Sequence, residues 1–255
     1  CPHRGLFFAL KKLKVTVTGD IGCYTLATLP PLSAMDTCIC MGASIGNAHG
    51  MEKALGQDGA GKVVAVIGDS TFLHSGVTGL MNVVYNRGVS TVILLDNDIT
   101  AMTGAQENPA TGKTLHGEPT RRTDLPALCR ALGVEHVYTV NPHDMELTEK
   151  VLRREVARPE PSVIITKAPC ALLPEHRRKK RPVYEVIADL CTGCKACSRL
   201  GCPAIEWVHF TPEEAVAAGK KATQKGSARI SPLLCDGCNQ CPPLCKFQAI
   251  LEKKS

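Results

Sequence analysis

The stretch Val63-Val64-Ala65-Val66-Ile67-Gly68-Asp69-Ser70, then TFLHSGVTGLMNVVYNRGVS (71–90), then TVILLDND (91–98), decides the fold of this chain. The two apolar runs suit strands buried on both faces, and the segment between them carries a helical pattern over Ser75–Asn86. Strand, helix, strand is the repeating unit of a parallel sheet. In a right-handed unit of this kind the loops leaving both strands lie at one end of the sheet, where such folds bind ligands. Gly68-Asp69-Ser70 leaves the first strand and Asp96-Asn97 leaves the second. A carboxylate on one tip and a carboxamide on the next converge on a hard cation through oxygen. The backbone N–H groups of Gly68–Ser70 and the helix N-terminus behind them suit a phosphate. Taken alone, Gly-Asp-Ser also fits an ordinary turn with Asp69 as the helix cap. The second oxygen-bearing tip, 27 residues after Ser70, favours magnesium with a diphosphate.

Outward from this unit the same alternation continues. Strands are expected at Val15–Thr18, Val63–Ile67, Thr91–Leu95, His136–Val140 and Ser162–Thr166. Helices are expected at Leu125–Leu132 after Asp124, and at Met145–Ala157 after Asp144, a suitable N-cap. Residues 1–172 therefore read as one α/β domain on a parallel sheet, residues 173–181 as a basic linker, and residues 182–255 as a small α+β domain. Thr211–Gly226 reads as a surface insertion in the latter.

Eight of the fourteen cysteines fall in that last domain, as Cys191-x-x-Cys194-x-x-Cys197-x4-Cys202-Pro203 and Cys235-x-x-Cys238-x-x-Cys241-x3-Cys245. Three cysteines at two-residue intervals wrap one face of a cubane, and the fourth usually ligates the other cluster of a pair. This predicts Cys191, Cys194, Cys197 and Cys245 on one 4Fe–4S cluster, and Cys235, Cys238, Cys241 and Cys202 on a second. Structural zinc and disulfides are the alternatives, and both fit the doubled spacing less well. Cys1, Cys38, Cys40, Cys129 and Cys170 have no ligand spacing and read as free thiols.

The net charge of +6 owes five charges to Arg177–Arg181, a run that reads as a solvated linker. What remains is no basis for a nucleic-acid surface. No apolar stretch approaches the ~20 residues of a membrane span, and no secretory leader is apparent. Thiolate-ligated clusters suit a reducing compartment, the cytoplasm being the simplest. The chain opens on Cys1 in mid-domain character, so a fragment of a longer polypeptide is expected.

Gly68-Asp69-Ser70 followed by Asp96-Asn97 resembles the thiamine diphosphate motif, with Ser70 and Asp96 as departures that leave both ligand positions intact. GDIGCYTL (19–26), MGASIGNAHG (41–50) and NDITAMTGAQENPATG (97–112), joined to a double-cluster domain, resemble the large subunit of indolepyruvate:ferredoxin oxidoreductases. The resemblance implies magnesium held by Asp69, Asn97 and the carbonyl of Ile99, with Gly68, Ser70 and Gly42 at the cofactor. It implies oxidative decarboxylation of a 2-oxoacid such as an arylpyruvate, with coenzyme A taking the acyl group and electrons leaving through the clusters to external ferredoxin. It also implies a small (beta) subunit and a preceding pyrimidine-binding domain whose glutamate activates the cofactor, so the segment alone is expected to be inactive. The rival reading is an electron-transfer module whose α/β domain only docks a partner.

Four further groups carry expectations. His49 is an acid–base or substrate-orienting candidate, or a histidine satisfied by packing. Cys23 lines the pocket or is a small buried hydrophobe, and Met41 wedges the cofactor or fills core. Thr103, Gly104 and Gln106 resemble a loop over the reactive site, or are simply polar loop. His3 and Arg4 have no assigned role.

Overall fold

The computed structural model describes residues 1–178 and 181–253, without the side chain of Gln57. The chain divides into two compact units, Cys1–Leu29 with Ser33–His176, and Pro30–Leu32 with Arg177–Ser255.

The first unit begins with helix α1 (Arg4–Leu13), strand β1 (Thr16–Gly19) and the two-residue strand β2 (Thr37–Cys38). Helix α2 (Ala43–Leu55) leads to β3 (Val63–Gly68), a helical turn α3 (Asp69–Thr71), a π turn at Phe72–Gly76, and α4 (Val77–Tyr85). Strand β4 (Thr91–Asp96), α5 (Leu125–Ala131), β5 (His136–Val140), α6 (Met145–Val156) and β6 (Ser162–Lys167) complete the sheet, followed by a single turn α7 (Pro174–Arg177). All six strands are parallel, in the order β2-β1-β3-β4-β6-β5.

Every residue of β3 and β4 is buried, because helices cover both faces of the sheet. Val63, Ala65 and Ile67 of β3, Val92 and Leu94 of β4, and Val163 and Ile165 of β6 share one core with Ile45, Ala48, Leu80, Val83, Leu125 and Cys129 from α2, α4 and α5. The pleat sends the alternate residues to the other face. There α6 packs on β6 and α1 packs on α6, with Lys12 Nζ 2.6 Å from Glu149. Asp124 and Asp144 cap α5 and α6 through the N–H groups of Ala127 and Leu147.

The second unit holds β7 (Tyr184–Val186), β8 (Ile205–His209), α8 (Pro212–Ala217), β9 (Gly226–Ile230) and β10 (Ile250–Glu252). The strands form two antiparallel pairs, β7 with β10 and β8 with β9. The two cysteine runs fold alike. Gly193 and Gly237, both of the C-x-G-C form, have φ +71°, and the residues two places on, Lys195 and Asn239, both have φ +59°. A side chain at either glycine would collide with backbone, at Gly226 O (2.5 Å) or Pro182 O (2.4 Å).

Some expected boundaries move. The helix expected from Ser75 begins at Asp69 instead, through the π turn. The stretch expected as a surface insertion at 211–226 is exposed along most of its length and carries α8, for which Thr211 and Glu214 form a reciprocal capping box with Ala215 buried beneath it. Part of the expected linker is the turn α7, with His176 buried; Lys179 and Lys180 of the basic run lie outside the described residues.

Candidate functional site

Three parallel strands deliver the cleft. In the sheet register Gly68 sits beside Leu95 and Thr18 beside Ala65, so the segments leaving β1, β3 and β4 emerge side by side. The cleft they frame has a volume of about 170 Å³. Gly68, Asp69, Ser70, Asn97, Ile99, Cys23, Met41 and Thr103 all reach it.

Asp69 is buried, with Oδ1 accepting the Ser70 N–H at 2.6 Å and, among the described residues, Oδ2 without a partner. Burial pushes its carboxyl up to about 7 and Asp96 adds to the effect, while the Ser70 N–H opposes it. An orphaned buried carboxylate oxygen costs roughly 1–3 kcal/mol until something satisfies it. A hard cation does so, and Asn97 and Ile99 stand in the same cleft with further oxygens. These residues fit a magnesium ion. Asp96, one residue before Asn97, is turned elsewhere: its Oδ2 takes Lys167 Nζ at 3.0 Å, in a neighbouring cavity with Arg122.

The expected phosphate donors are partly spent. Gly68 N–H donates to Tyr24 Oη at 3.0 Å, and Ser70 N–H to Asp69. Tyr24 Oη in turn donates to Ile21 O at 3.2 Å, tying the first loop to the β3 tip. Asp20, fully buried, binds the loops together. Its Oδ1 accepts from Ile21 N–H (2.8 Å) and Gly42 N–H (2.9 Å), and its Oδ2 from Ser44 N–H (3.1 Å). Gly42 has φ +83°, and a β-carbon there would lie 2.2 Å from Ser75 Oγ. It therefore stands behind the cleft and sets the path of Met41.

Cys23 and Met41 are exposed at the cleft, so neither fills core. Thr103 Oγ1 donates to Gln106 Oε1 and Gln106 Nε2 to Thr103 O, both at 2.6 Å, closing the loop on itself; Gly104 and Gln106 do not reach the cleft. His49 is not brought there either. It is buried in α2 beside Gly88 and 3.8 Å from Glu52, whose carboxylate takes Ser90 Oγ at 2.5 Å. Val89 and Ser90 precede β4, whereas Asn97 follows it, and that strand's six residues span roughly 20 Å.

Asp20 and Tyr24 carry no local signature of their place in the site, and His3 had no assigned role. His3 Nε2 donates to Thr166 O at 2.8 Å at the cleft wall, and burial lowers its pKa to about 4, keeping the ring neutral. The Asp20 and Tyr24 contacts join segments 22 and 44 residues apart, which no local pattern reports.

In the second unit, Cys191, Cys194, Cys197 and Cys245 line one apolar cavity with Trp207 and Phe247. Cys202 lies near the other run: burial chiefly pushes Cys238 up to about 11 and Cys241 to about 12, with Cys202 among the neighbours that add to it. Cys245 Sγ accepts the Ala249 N–H at 3.3 Å. Among the described residues no three His, Cys, Asp or Glu side chains converge as a single metal ion requires.

The family described as "Thiamine pyrophosphate enzyme, C-terminal TPP binding domain" matches residues 20–166, more than half of the chain and all three loops of the cleft. The chain belongs to this family. Along nearly its whole length it is also similar to proteins named indolepyruvate oxidoreductase subunit IorA. That of Pyrococcus horikoshii is 41% identical over 98% of this chain, that of Thermococcus kodakarensis 41% over 100%, and that of Archaeoglobus fulgidus 36% over 100%. The chain spans about two fifths of the length of these relatives, 39–40%. The TPP-binding fold recurs in a 2-oxoglutarate:ferredoxin oxidoreductase from Magnetococcus marinus, solved with 2-oxoglutarate, coenzyme A and succinyl-CoA bound. That likeness has a TM-score of 0.55 and 16% identity, covering 67% of this chain and 63% of that one. Among the described residues no helix is long and apolar enough to cross a membrane.

Proposed function

We propose that the chain forms part of a 2-oxoacid:ferredoxin oxidoreductase of the indolepyruvate type, oxidatively decarboxylating an arylpyruvate to acyl-CoA and CO2. Asp69 Oδ2, Asn97 and the carbonyl of Ile99 hold magnesium against the diphosphate, and Asp20 and Tyr24 keep the loops that present them in register. When bound, thiamine diphosphate supplies the carbon nucleophile and the electron sink for decarboxylation. The cleft of about 170 Å³ is below the ~300–1,000 Å³ of a complete ligand pocket, which suits one wall of a site shared with a pyrimidine-binding domain. The 255 residues by themselves then turn over no 2-oxoacid.

Cys191, Cys194, Cys197 and Cys245 hold one 4Fe–4S cluster, and Cys235, Cys238, Cys241 and Cys202 the other. The gathering of Cys245 with the first run, and of Cys202 with the second, supports this exchange of fourth ligands. A cubane spreads its thiolates over four corners, so the lack of a single-ion site does not count against it. Electrons then pass singly to an external ferredoxin, and a small subunit completes the enzyme.

The observation that carries this reading is the orphaned Asp69 oxygen at a cleft that also holds Asn97, in a chain whose other unit sets Cys245 at one cavity with Cys191, Cys194 and Cys197. Calorimetric titration of the complete enzyme with magnesium and thiamine diphosphate tests it. Asp69→Ala should weaken binding by more than the ~10–100-fold that loss of an outer partner costs a metal site, while the iron content stays unchanged. Equal affinity in the two proteins would reduce Gly-Asp-Ser to a strand-to-helix turn.

A further inference from the structure

We propose that Lys195 and the Lys220–Lys225 segment form a docking surface for an acidic one-electron carrier protein, centred on Cys194. This rests on the cluster reading of the cysteines and adds where the electrons leave.

The charge of the chain is unevenly divided. Residues 177–255 hold fourteen Lys and Arg against seven Asp and Glu, a net of +7, whereas residues 1–176 carry a net of −1. Part of that excess lies in the basic run at 177–181; a second part gathers beside the first cysteine run. Lys220 Nζ donates to Asp189 O at 3.0 Å, and Gln224 Nε2 donates to Cys191 O at 3.2 Å. Gly193 is pressed against this segment so closely that a β-carbon would lie 2.5 Å from Gly226 O and 3.1 Å from Gln224 Cγ. The segment is thus seated on the turn that leads into Cys194.

Lys195 has its Nζ 4.5 Å from the centroid of the Trp207 ring, and Trp207 lines the Cys191–Cys245 cavity. Lys195, Lys221 and Lys225 are exposed. Among the described residues none of these three has a carboxylate partner, whereas Arg229 nearby is spent on Glu206. Of the eight ligand cysteines only Cys194 is exposed; the others are buried or half-buried. The exposed Cys194 therefore has Lys195 beside it in the chain and, seated on the turn before it, a segment that carries Lys221 and Lys225. Ammonium groups so placed steer a negatively charged partner and raise its association rate by roughly 10–1,000-fold at low salt. Each encounter moves one electron from a reduced cluster to the oxidised carrier, and no bond is made or broken.

The test uses the complete enzyme with two acceptors, an acidic two-cluster ferredoxin and the small cation methyl viologen. With Lys221→Glu/Lys225→Glu, the second-order rate of ferredoxin reduction should fall at least ~10-fold at low ionic strength, and the steep salt dependence of the wild type should flatten. Reduction of methyl viologen should be unchanged. The neutral pair Lys221→Gln/Lys225→Gln should fall between the two, which separates loss of charge from damage to the fold. An unchanged rate and salt slope with ferredoxin would overturn the docking surface while leaving the clusters in place. Wild-type enzyme that holds no iron and reduces neither acceptor would overturn the cluster reading itself.

Discussion

Replacing Asp20 with alanine should cripple the first unit without touching the cleft's own ligands. The carboxylate accepts three N–H groups, from Ile21, Gly42 and Ser44, and its removal leaves all three unpaired. The Ser44 N–H is buried and bears the full penalty of ~1–3 kcal/mol; the other two are half-buried and water repairs part of their loss. A total of about 3–5 kcal/mol follows, a large share of the ~5–15 kcal/mol that holds a domain folded. For a unit of this size it corresponds to a Tm lower by about 6–20 °C. Asp20→Asn should cost less, because its amide oxygen still serves Ile21 and Gly42, but its NH2 then faces the Ser44 N–H. Far-UV circular dichroism follows the first unit, which holds most of the helix, while Trp207, the only tryptophan, reports on the second. A shift of less than ~2 °C in the dichroism transition of Asp20→Ala would refute the assignment of Asp20 as the anchor of the cofactor loops.

Two further outcomes are expected. His3 binds a proton at about 4 when folded but near 6.5 when unfolded, so the unfolded chain takes up more protons between those values and stability falls as pH drops from 6.5 towards 4. The loss should reach roughly 2–3 kcal/mol, and His3→Asn should remove that part of the acid sensitivity in urea titrations at pH 7 and pH 5. Cys197→Ser and Cys245→Ser should each lower anaerobically reconstituted iron from about eight to about four, and should change the same set of paramagnetic resonances, whereas Cys202→Ser should change the other set. Signals from Cys245→Ser that match those of Cys202→Ser would break the crossed pairing.

The sheet was legible because β3 and β4 have no polar interruption: His136–Val140 is matched, three expected strands stop one residue short, the first is shifted by one residue, and the two-residue β2 was not foreseen. Those end residues matter: β3 runs on to Gly68 and β4 to Asp96, so the chain stays extended up to the residues that reach the cleft. Helix α2 escaped notice because Gly46 and Gly50 interrupt its apolar pattern, and α1 because no side chain caps it. Of the candidate site, Asp69 and Asn97 were visible as oxygen-bearing tips of adjacent strands and Ser70 as a backbone donor beside them, whereas Ile99 came only with the family resemblance. Asp20 and Tyr24 were not, since their work is done through backbone amides that carry no sequence signature. His49 drew attention by sitting in a conspicuous motif, but α2 carries it away from the strand tips, towards Glu52 and Gly88.

The bond from His3 to Thr166 and the packing of α1 on α6 join the beginning of the first unit to its end, 163 residues later. During synthesis at ~5–20 residues per second, α1 emerges roughly 8–30 s before its partners exist. Through that interval Leu6, Phe7 and Leu10 have no core to enter. The amphipathic first helix is thus the segment of this unit most in need of protection on the ribosome, and its docking marks the moment at which the unit closes.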